Sequence, residues 1–466
     1  MAKNMLQYIV EIIERRAVGL KRRFIKIFIL AALMCLCFSG CFSESGDGLY
    51  SLPKAPDDYI DLQSCIDVLL AEGARYAGPV SGSNRQAVQL VDLNGDGVQE
   101  ALAFMTVTGE KPMRVYLLSK NMEGEYARAA EISGDGAAFD CVEYSDVDGD
   151  GVLEIILGFQ MSDQVLQYVG VYDISDGFSL TLITAGSYTE YKTADLDRDG
   201  AVEMLLFKLD SPETAGTADY YDYCDGEYKL VNTVPLSLGM ESIKRIKSSS
   251  YIEDGVHAVF VSGTYQSTGL VTDVFAVRDR QLVNVAMPDG AEVSLQAIRN
   301  YIIYPTDVDS DGVVELARPV QMPVMDGSTE AYYTISWYSQ NIDGNFLKKL
   351  STYHNYSESW YFIIPEQWEG NISVSRTDST EGKALTFYRY DGEGEPQPLF
   401  TIYSLTGDHR QQLAEKDGRF VLYTKGEVIY CAEITPGADS WEQMLTMEEI
   451  LAGFKPIRTE WNTGEV

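Results

Sequence analysis

Basic residues are scarce in this chain. Its 36 lysines and arginines face 70 aspartates and glutamates, giving a formal net charge of −34. That balance argues against a nucleic-acid partner, which needs a basic surface. Histidine is nearly missing, with only His257, His354 and His409. No G-x-S-x-G, H-E-x-x-H or P-loop pattern occurs, so no nucleophile elbow, zinc-protease helix or phosphate cradle is legible. Cysteine says little. Cys65, Cys141, Cys224 and Cys431 lack metal-type spacing and read as small apolar residues. Long apolar runs are lacking too: the run from Ile27 to Phe38 is too short to span a bilayer comfortably.

That short run follows Lys21-Arg-Arg-Phe-Ile-Lys26 and ends in Phe38-Ser39-Gly40-Cys41. A charged segment, a short apolar segment and small residues before a cysteine are the order of a bacterial lipoprotein signal. Residues 1–40 are therefore expected to be a signal peptide, and Cys41 the lipidated first residue of the mature chain. The expected location is the bacterial cell envelope, anchored to the membrane by that lipid and facing the exterior. A retained transmembrane anchor is the alternative. Glu11 and Glu14 precede the basic segment, which also suggests a start near Val18. Residues 41–55 are mostly small and polar, hence a flexible tether. Residues 56–84 read as a helix and linker, because Tyr59, Leu62, Ile66, Leu69 and Leu70 fall on one side at spacings of three and four. Such a helix caps the domain that follows or docks a partner; capping is the simpler reading.

What the chain does have is one acidic phrase, four times. Its oxygen donors sit at positions 1, 3, 5, 7 and 9. The first copy offers Asp92, Asn94, Asp96, Val98 and Glu100; the second offers Asp146, Asp148, Asp150, Val152 and Glu154. The third offers Asp195, Asp197, Asp199, Ala201 and Glu203; the fourth offers Asp307, Asp309, Asp311, Val313 and Glu315. A hard cation such as Ca²⁺ takes six to eight oxygens, and carboxylates at 1, 3 and 5 converge if the chain curls tightly. Position 7 would lend its backbone carbonyl. Position 6 must take a conformation cheap only for glycine, and it is Gly97, Gly151, Gly200 or Gly312. An EF-hand closes with glutamate at position 12, but here that position is Ala103, Leu157, Leu206 or Arg318. The last ligand is therefore the glutamate at 9, and strand-like apolar runs follow it. Up to four Ca²⁺ ions are expected. Plain solvated hairpin turns are the competing reading, which four matching copies make the weaker one.

Three worn copies extend the series at Gly255, Gly370 and Gly418, so that acidic-glycine turns recur roughly every fifty residues. The worn copies lack the acids and should hold no calcium. Between the loops lies a second series of hairpin turns: Glu123-Gly124, Asp176-Gly177, Asp225-Gly226 and Asp343-Gly344. Each repeat then reads strand, loop, strand, strand, hairpin, strand, which is the size of a propeller blade. The expected fold is all-β: a seven-bladed β-propeller of four-stranded antiparallel blades over residues 85–466, with one N-terminal helix. Six or eight blades remain open, because the last unit is irregular. There Ser440-Trp-Glu-Gln443 reads as a capping box opening a short helix, before a strand from Phe454 to Trp461.

The four phrases and their spacing resemble the FG-GAP/VCBS repeat family, which includes the propeller of integrin α subunits. The whole chain is similar to bacterial VCBS-repeat lipoproteins. The resemblance implies a propeller and calcium at the four full loops, and no reaction. Two readings of function follow. One is a non-catalytic surface module that binds a protein or glycan. The other is a surface carbohydrate-active enzyme, a lyase or hydrolase on a calcium-stabilised propeller. Tyrosine is dense at Tyr220-Tyr221-Asp-Tyr223, Tyr332-Tyr333 and Tyr353 to Tyr361. Such rings stack on sugars or simply fill strands; the strand reading is preferred.

Overall fold

A computed structural model describes residues 57–457, apart from 162–165, 176, 210–213 and 380–381. The signal peptide, the tether and Cys41 lie outside the described residues. Six antiparallel sheets of four or five strands follow one another along the chain. They span residues 75–134, 138–188, 190–235, 240–284, 316–364 and 372–434, and Phe454–Pro456 joins the fifth.

The strand that follows the acidic loop in each early sheet explains the stacking. Glu100–Thr106, Glu154–Gln160 and Glu203–Lys208 are almost wholly buried, with no polar face. Side chains alternate across a strand, so one run supplies two faces. Leu102 and Phe104 pack with Phe139 and Phe159 of the second sheet, while Ala101, Ala103 and Met105 face the other way. Ile155 and Leu157 join that first core, and Ile156 packs with Met204 and Leu206 of the third sheet. Leu205 and Phe207 turn to Val259 and Phe275 of the fourth. Phe260 meets Val314 and Leu316, and Phe362 meets Phe387 and Phe400. Each sheet thus shares a core with the next, in a propeller-like order. Phe104 is fully buried, with its ring edge-on to Phe139 at 5.3 Å. Phe104→Ala is expected to cost about 3–5 kcal/mol, read as a lower urea midpoint. A loss under about 1 kcal/mol would contradict this face-to-face packing.

The expected N-terminal helix is present as α1, Asp57–Ala71. Leu62, Ile66 and Leu69 pack on Ala101, Ala103 and Tyr116 of the first sheet, so the helix covers its outer face. The small alanines make room for it. Where described, the expected hairpins form as well. Asp225 and Gly226 both have positive φ, 58° and 81°, between the paired Cys224 and Glu227. That is the turn whose twist matches the strands it joins.

Seven blades were expected, and the described residues form six sheets. The turn at Gly370 lies between sheets: Trp360–Ile364 pairs with Phe346–Asn355 in the fifth, and Ile372–Ser379 starts the sixth. The turn at Gly418 opens the hairpin Arg419–Lys425 and Val428–Ile434, which extends the sixth sheet. Ahead of it, Arg410–Ala414 is a short helix, α2, in place of a strand. These worn turns have no acid set to gather around an ion, and Arg-Gln-Gln-Leu-Ala favours helix. The last unit also departs from expectation. Ala438–Ser440 is a single 3₁₀ turn, and the capping box is Thr446 with Glu449, opening α3, Met447–Gly453. The Trp461 end of the expected strand lies outside the described residues. None of Cys65, Cys141, Cys224 and Cys431 forms a disulfide.

Candidate metal centres

The four full loops sit at one end of the sheets; the first three lead into the buried strands Glu100–Thr106, Glu154–Gln160 and Glu203–Lys208, and the fourth into Leu316–Gln321, which is buried only where it leaves the loop. Their own backbone holds them curled. In the first, Asp92 Oδ2 accepts from the Gly97 N–H at 2.9 Å, Asn94 Oδ1 from Asp96 at 3.1 Å and Asp96 Oδ1 from Val98 at 2.7 Å. The second repeats this with Asp146 on Gly151 at 2.9 Å, Asp148 on Asp150 at 3.2 Å and Asp150 on Val152 at 2.7 Å. In the third, Asp197 accepts from Asp199 at 3.2 Å and Asp199 from Ala201 at 2.9 Å. In the fourth, Asp307 accepts from Gly312 at 3.0 Å and Asp311 from Val313 at 2.8 Å. Position 6 has φ of +86°, +89°, +99° and +91°, where a side chain would be strained.

The glutamate at position 9 is the distinctive donor. Glu100, Glu154, Glu203 and Glu315 are at most 2% exposed. In each, Oε2 accepts from the backbone N–H at position 2: Leu93 at 3.0 Å, Val147 at 2.8 Å, Leu196 at 2.5 Å and Val308 at 2.9 Å. The other oxygen, Oε1, is buried without a hydrogen-bond partner in Glu154, Glu203 and Glu315, and Asp92 Oδ1 is in the same state. A buried carboxylate oxygen with no donor is costly. Burial first, and then the neighbouring aspartates, push Glu154 and Glu315 up to about 8 and Glu203 up to about 9; Glu100 is raised for the same reasons. These residues fit a divalent cation, which would satisfy the orphaned oxygens and offset the like charges.

Ligand atoms of Asp195, Asp197, Asp199 and Glu203 lie within 4.8 Å of one another, as do those of Asp146, Asp148 and Glu154, and those of Asp307, Asp309 and Asp311. Among the described residues, the first loop, whose position 3 is the neutral Asn94, brings no three acids together in this way.

Two features were not legible in the sequence. First, the loops are tied to one another. The residue at position 8 of one loop reaches position 1 or 2 of the loop before it. Leu153 N–H donates to the Leu93 carbonyl at 2.7 Å, Val202 N–H to Asp146 at 3.0 Å and Val314 N–H to Tyr251 at 2.9 Å. In the worn loop at Gly255 an imidazole does this work: His257 Nδ1 lies 2.6 Å from the Asp195 carbonyl. His257 thus has a structural role, as this tie. Arg198 adds a second, donating to the Gly255 carbonyl at 2.6 Å.

Second, the fourth loop carries a resident cation. Lys349 Nζ lies 3.0 Å from Asp311 Oδ2 and 2.9 Å from Glu253 Oε1. These contacts hold the Lys349 amine well above its usual range. A metal at this loop competes with that ammonium for Asp311. Lys349→Met is therefore expected to tighten calcium binding at the fourth loop about tenfold, measured by calorimetric titration. Unchanged or weaker binding would contradict the competition.

No family model matches the chain, and no curated protein does. Similar solved structures include a rhamnogalacturonan lyase of Bacillus licheniformis, at 12% identity and TM-score 0.29, covering 67% of this chain and 70% of that one. Sqt1 from Chaetomium thermophilum matches at 10% identity and TM-score 0.29, covering 72% and 92%. The Dos1 propeller matches at 7% and 0.25, covering 75% and 82%. Likeness at this level assigns no activity, and the fold description rests on the chain's own sheets.

Proposed function

We propose that this chain is a lipid-anchored module of a bacterial cell surface. Calcium ions staple a β-propeller scaffold whose surface binds a protein or glycan without catalysis. At each full loop the side chains at positions 1, 3, 5 and 9 and the carbonyl at 7 hold one Ca²⁺. The observation that carries this reading is the position-9 glutamate: buried and tied by one oxygen to its own loop in all four copies, and in Glu154, Glu203 and Glu315 with the other oxygen orphaned. A cation turns that liability into a staple that fixes the loop to the strand it leads into. The expected lipid at Cys41 supplies the anchor, and the acid excess keeps the exposed surface soluble. The test is capture of surface proteins and glycans from the bacterial envelope by the full chain, with calcium and with chelator. Specific capture that chelator abolishes supports the reading; equal capture in both removes calcium from it.

One observation favours the enzymatic alternative. At the opposite end of the second and third sheets, a cavity of about 300 Å³ gathers Asp140, Glu143 and Glu190 beside Tyr188. Asp140 accepts from Tyr188 at 2.6 Å, and Glu143 accepts from Thr193 at 2.7 Å. Both acids are thus engaged in holding strands, which is why the binding reading is preferred. Reducing ends released from a polysaccharide panel by the full chain, and lost in Glu190→Gln, would reverse that preference.

A further inference from the structure

The tyrosines dense in the sequence around 332 and 353 converge on one cavity. It has a volume of about 170 Å³ and lies at the end of the fifth sheet away from the calcium loop. The strand that leaves Glu315 runs from Leu316 to Gln321, and Gln321 pairs with Tyr333 at its far end. Tyr333 and Tyr353 come from adjacent strands through the pairing of Thr334 with Tyr353. Tyr301 arrives from the preceding loop, and Tyr356 from the 3₁₀ turn Tyr356–Glu358. The rings support one another. Tyr301 and Tyr333 are 4.9 Å apart between centroids, and His354 is 5.3 Å from Tyr356. Tyr356 Oη lies 3.2 Å from His354 Nδ1, and Tyr332 donates its hydroxyl to Glu330. Tyr353 is only 6% exposed and forms the floor, whereas Tyr301 at 38% and Tyr356 at 37% form the rim.

This wall combines flat apolar faces with phenol and imidazole groups at their edges, and no charged side chain lines it. Behind it the buried Arg299 donates Nε to the carbonyl of Ile303, which does line the cavity. The Arg299 guanidinium behind the wall and the Glu330 carboxylate held by Tyr332 are opposite charges outside the lining, so the cavity favours neither a cation nor an anion. We propose that this cavity binds one neutral pyranose ring, the end or an inner unit of a neutral glycan, stacked on Tyr301 and Tyr356. The C–H face of the sugar covers the rings while its hydroxyls meet the phenol and imidazole edges. The inference rests on the glycan form of the proposed function and narrows it to one site. Its rigid strand ends sit away from the loops, so bound calcium is not a contact of the sugar.

The test is saturation-transfer NMR on the full chain in detergent with calcium present. The probes are the methyl glycosides of glucose, galactose, mannose and N-acetylglucosamine, with tetramethylammonium and methyl glucuronide as charged counterparts. The expected result is transfer to at least one neutral glycoside, strongest at ring C–H protons, and about tenfold weaker binding in Tyr301→Ala and in Tyr356→Ala. Both positions are exposed rim sites, and calcium titration of each variant should match the parent chain. No transfer to any neutral glycoside overturns the proposal, as does transfer only to tetramethylammonium or only to the glucuronide. Undiminished transfer in both variants places sugar binding elsewhere; that sinks this site and leaves the surface-binding reading standing.

Discussion

Stripping calcium from this chain is expected to lower its melting temperature by about 10 °C. An ion bound only by the folded state at a hundred times its Kd contributes about 2.7 kcal/mol, and several such loops together contribute about 5–10 kcal/mol. A kcal/mol moves the midpoint of a 150–250-residue domain by about 2–4 °C, and a larger one by less. The direction has a second source. Without metal, each loop confines three or four acids, and Glu154, Glu203 and Glu315 each keep an orphaned oxygen in a buried site. The loops are also tied in series, Leu153 to Leu93, Val202 to Asp146 and His257 to Asp195. Loosening one loop therefore removes a hydrogen-bond partner from its neighbour. Differential scanning calorimetry with calcium and with chelator reads the effect. Coincident transitions would show that the loops do not contribute.

The second large effect is at Glu203. Its Oε2 accepts from Leu196 N–H, and its Oε1 lies buried and unpartnered in a group with Asp195, Asp197 and Asp199. Glu203→Gln keeps a carbonyl oxygen for Leu196 and removes the anionic ligand. Calcium binding at the third loop should weaken about a hundredfold or more, a loss of about 2.7 kcal/mol. In chelator the variant should melt no lower than the parent, because a neutral amide suits a buried site that repels charge. Glu227→Gln, at an exposed hairpin, is the control for lost charge alone and should leave the calcium count unchanged. A variant that still binds every ion would show that position 9 is not a ligand.

Much of this architecture was legible because two signals agree. Glycine at position 6 with acids at 1, 3 and 5 has one economical geometry, and the loops adopt it. The apolar runs after Glu100, Glu154 and Glu203 announce strands buried on both faces, and they pack between neighbouring sheets. The blade count was not legible. Gly370 and Gly418 have the spacing without the ligands, and spacing alone did not decide which sheet their strands join. Trp360–Ile364 folds back on Phe346–Asn355 through the short Tyr356–Glu358 turn, so it closes the fifth sheet before Gly370, and Trp360 and Phe362 then pack on Phe387 and Phe400 of the sixth. The candidate sites divide in the same way. Ligands close in sequence were readable, whereas Lys349 reaches Asp311 from 38 residues away and His257 meets the Asp195 carbonyl from 62. Nothing in the sequence ties Lys349 to the fourth loop, and the worn copy at Gly255 does not say where His257 reaches. The tyrosine density was visible, but it took the pairing of Thr334 with Tyr353 to bring two dense stretches to one cavity.

The central claim is that these loops are calcium staples, and the most direct measurement counts the ions. Isothermal titration of the chelator-treated full chain with calcium is expected to show four equivalents. The loops at Asp146 and Asp195 should be tightest. The first loop should be weaker for its Asn94, and the fourth weaker for its Lys349. A titration with no calcium bound, or one in which Glu203→Gln and the parent bind the same number of ions, would contradict the account.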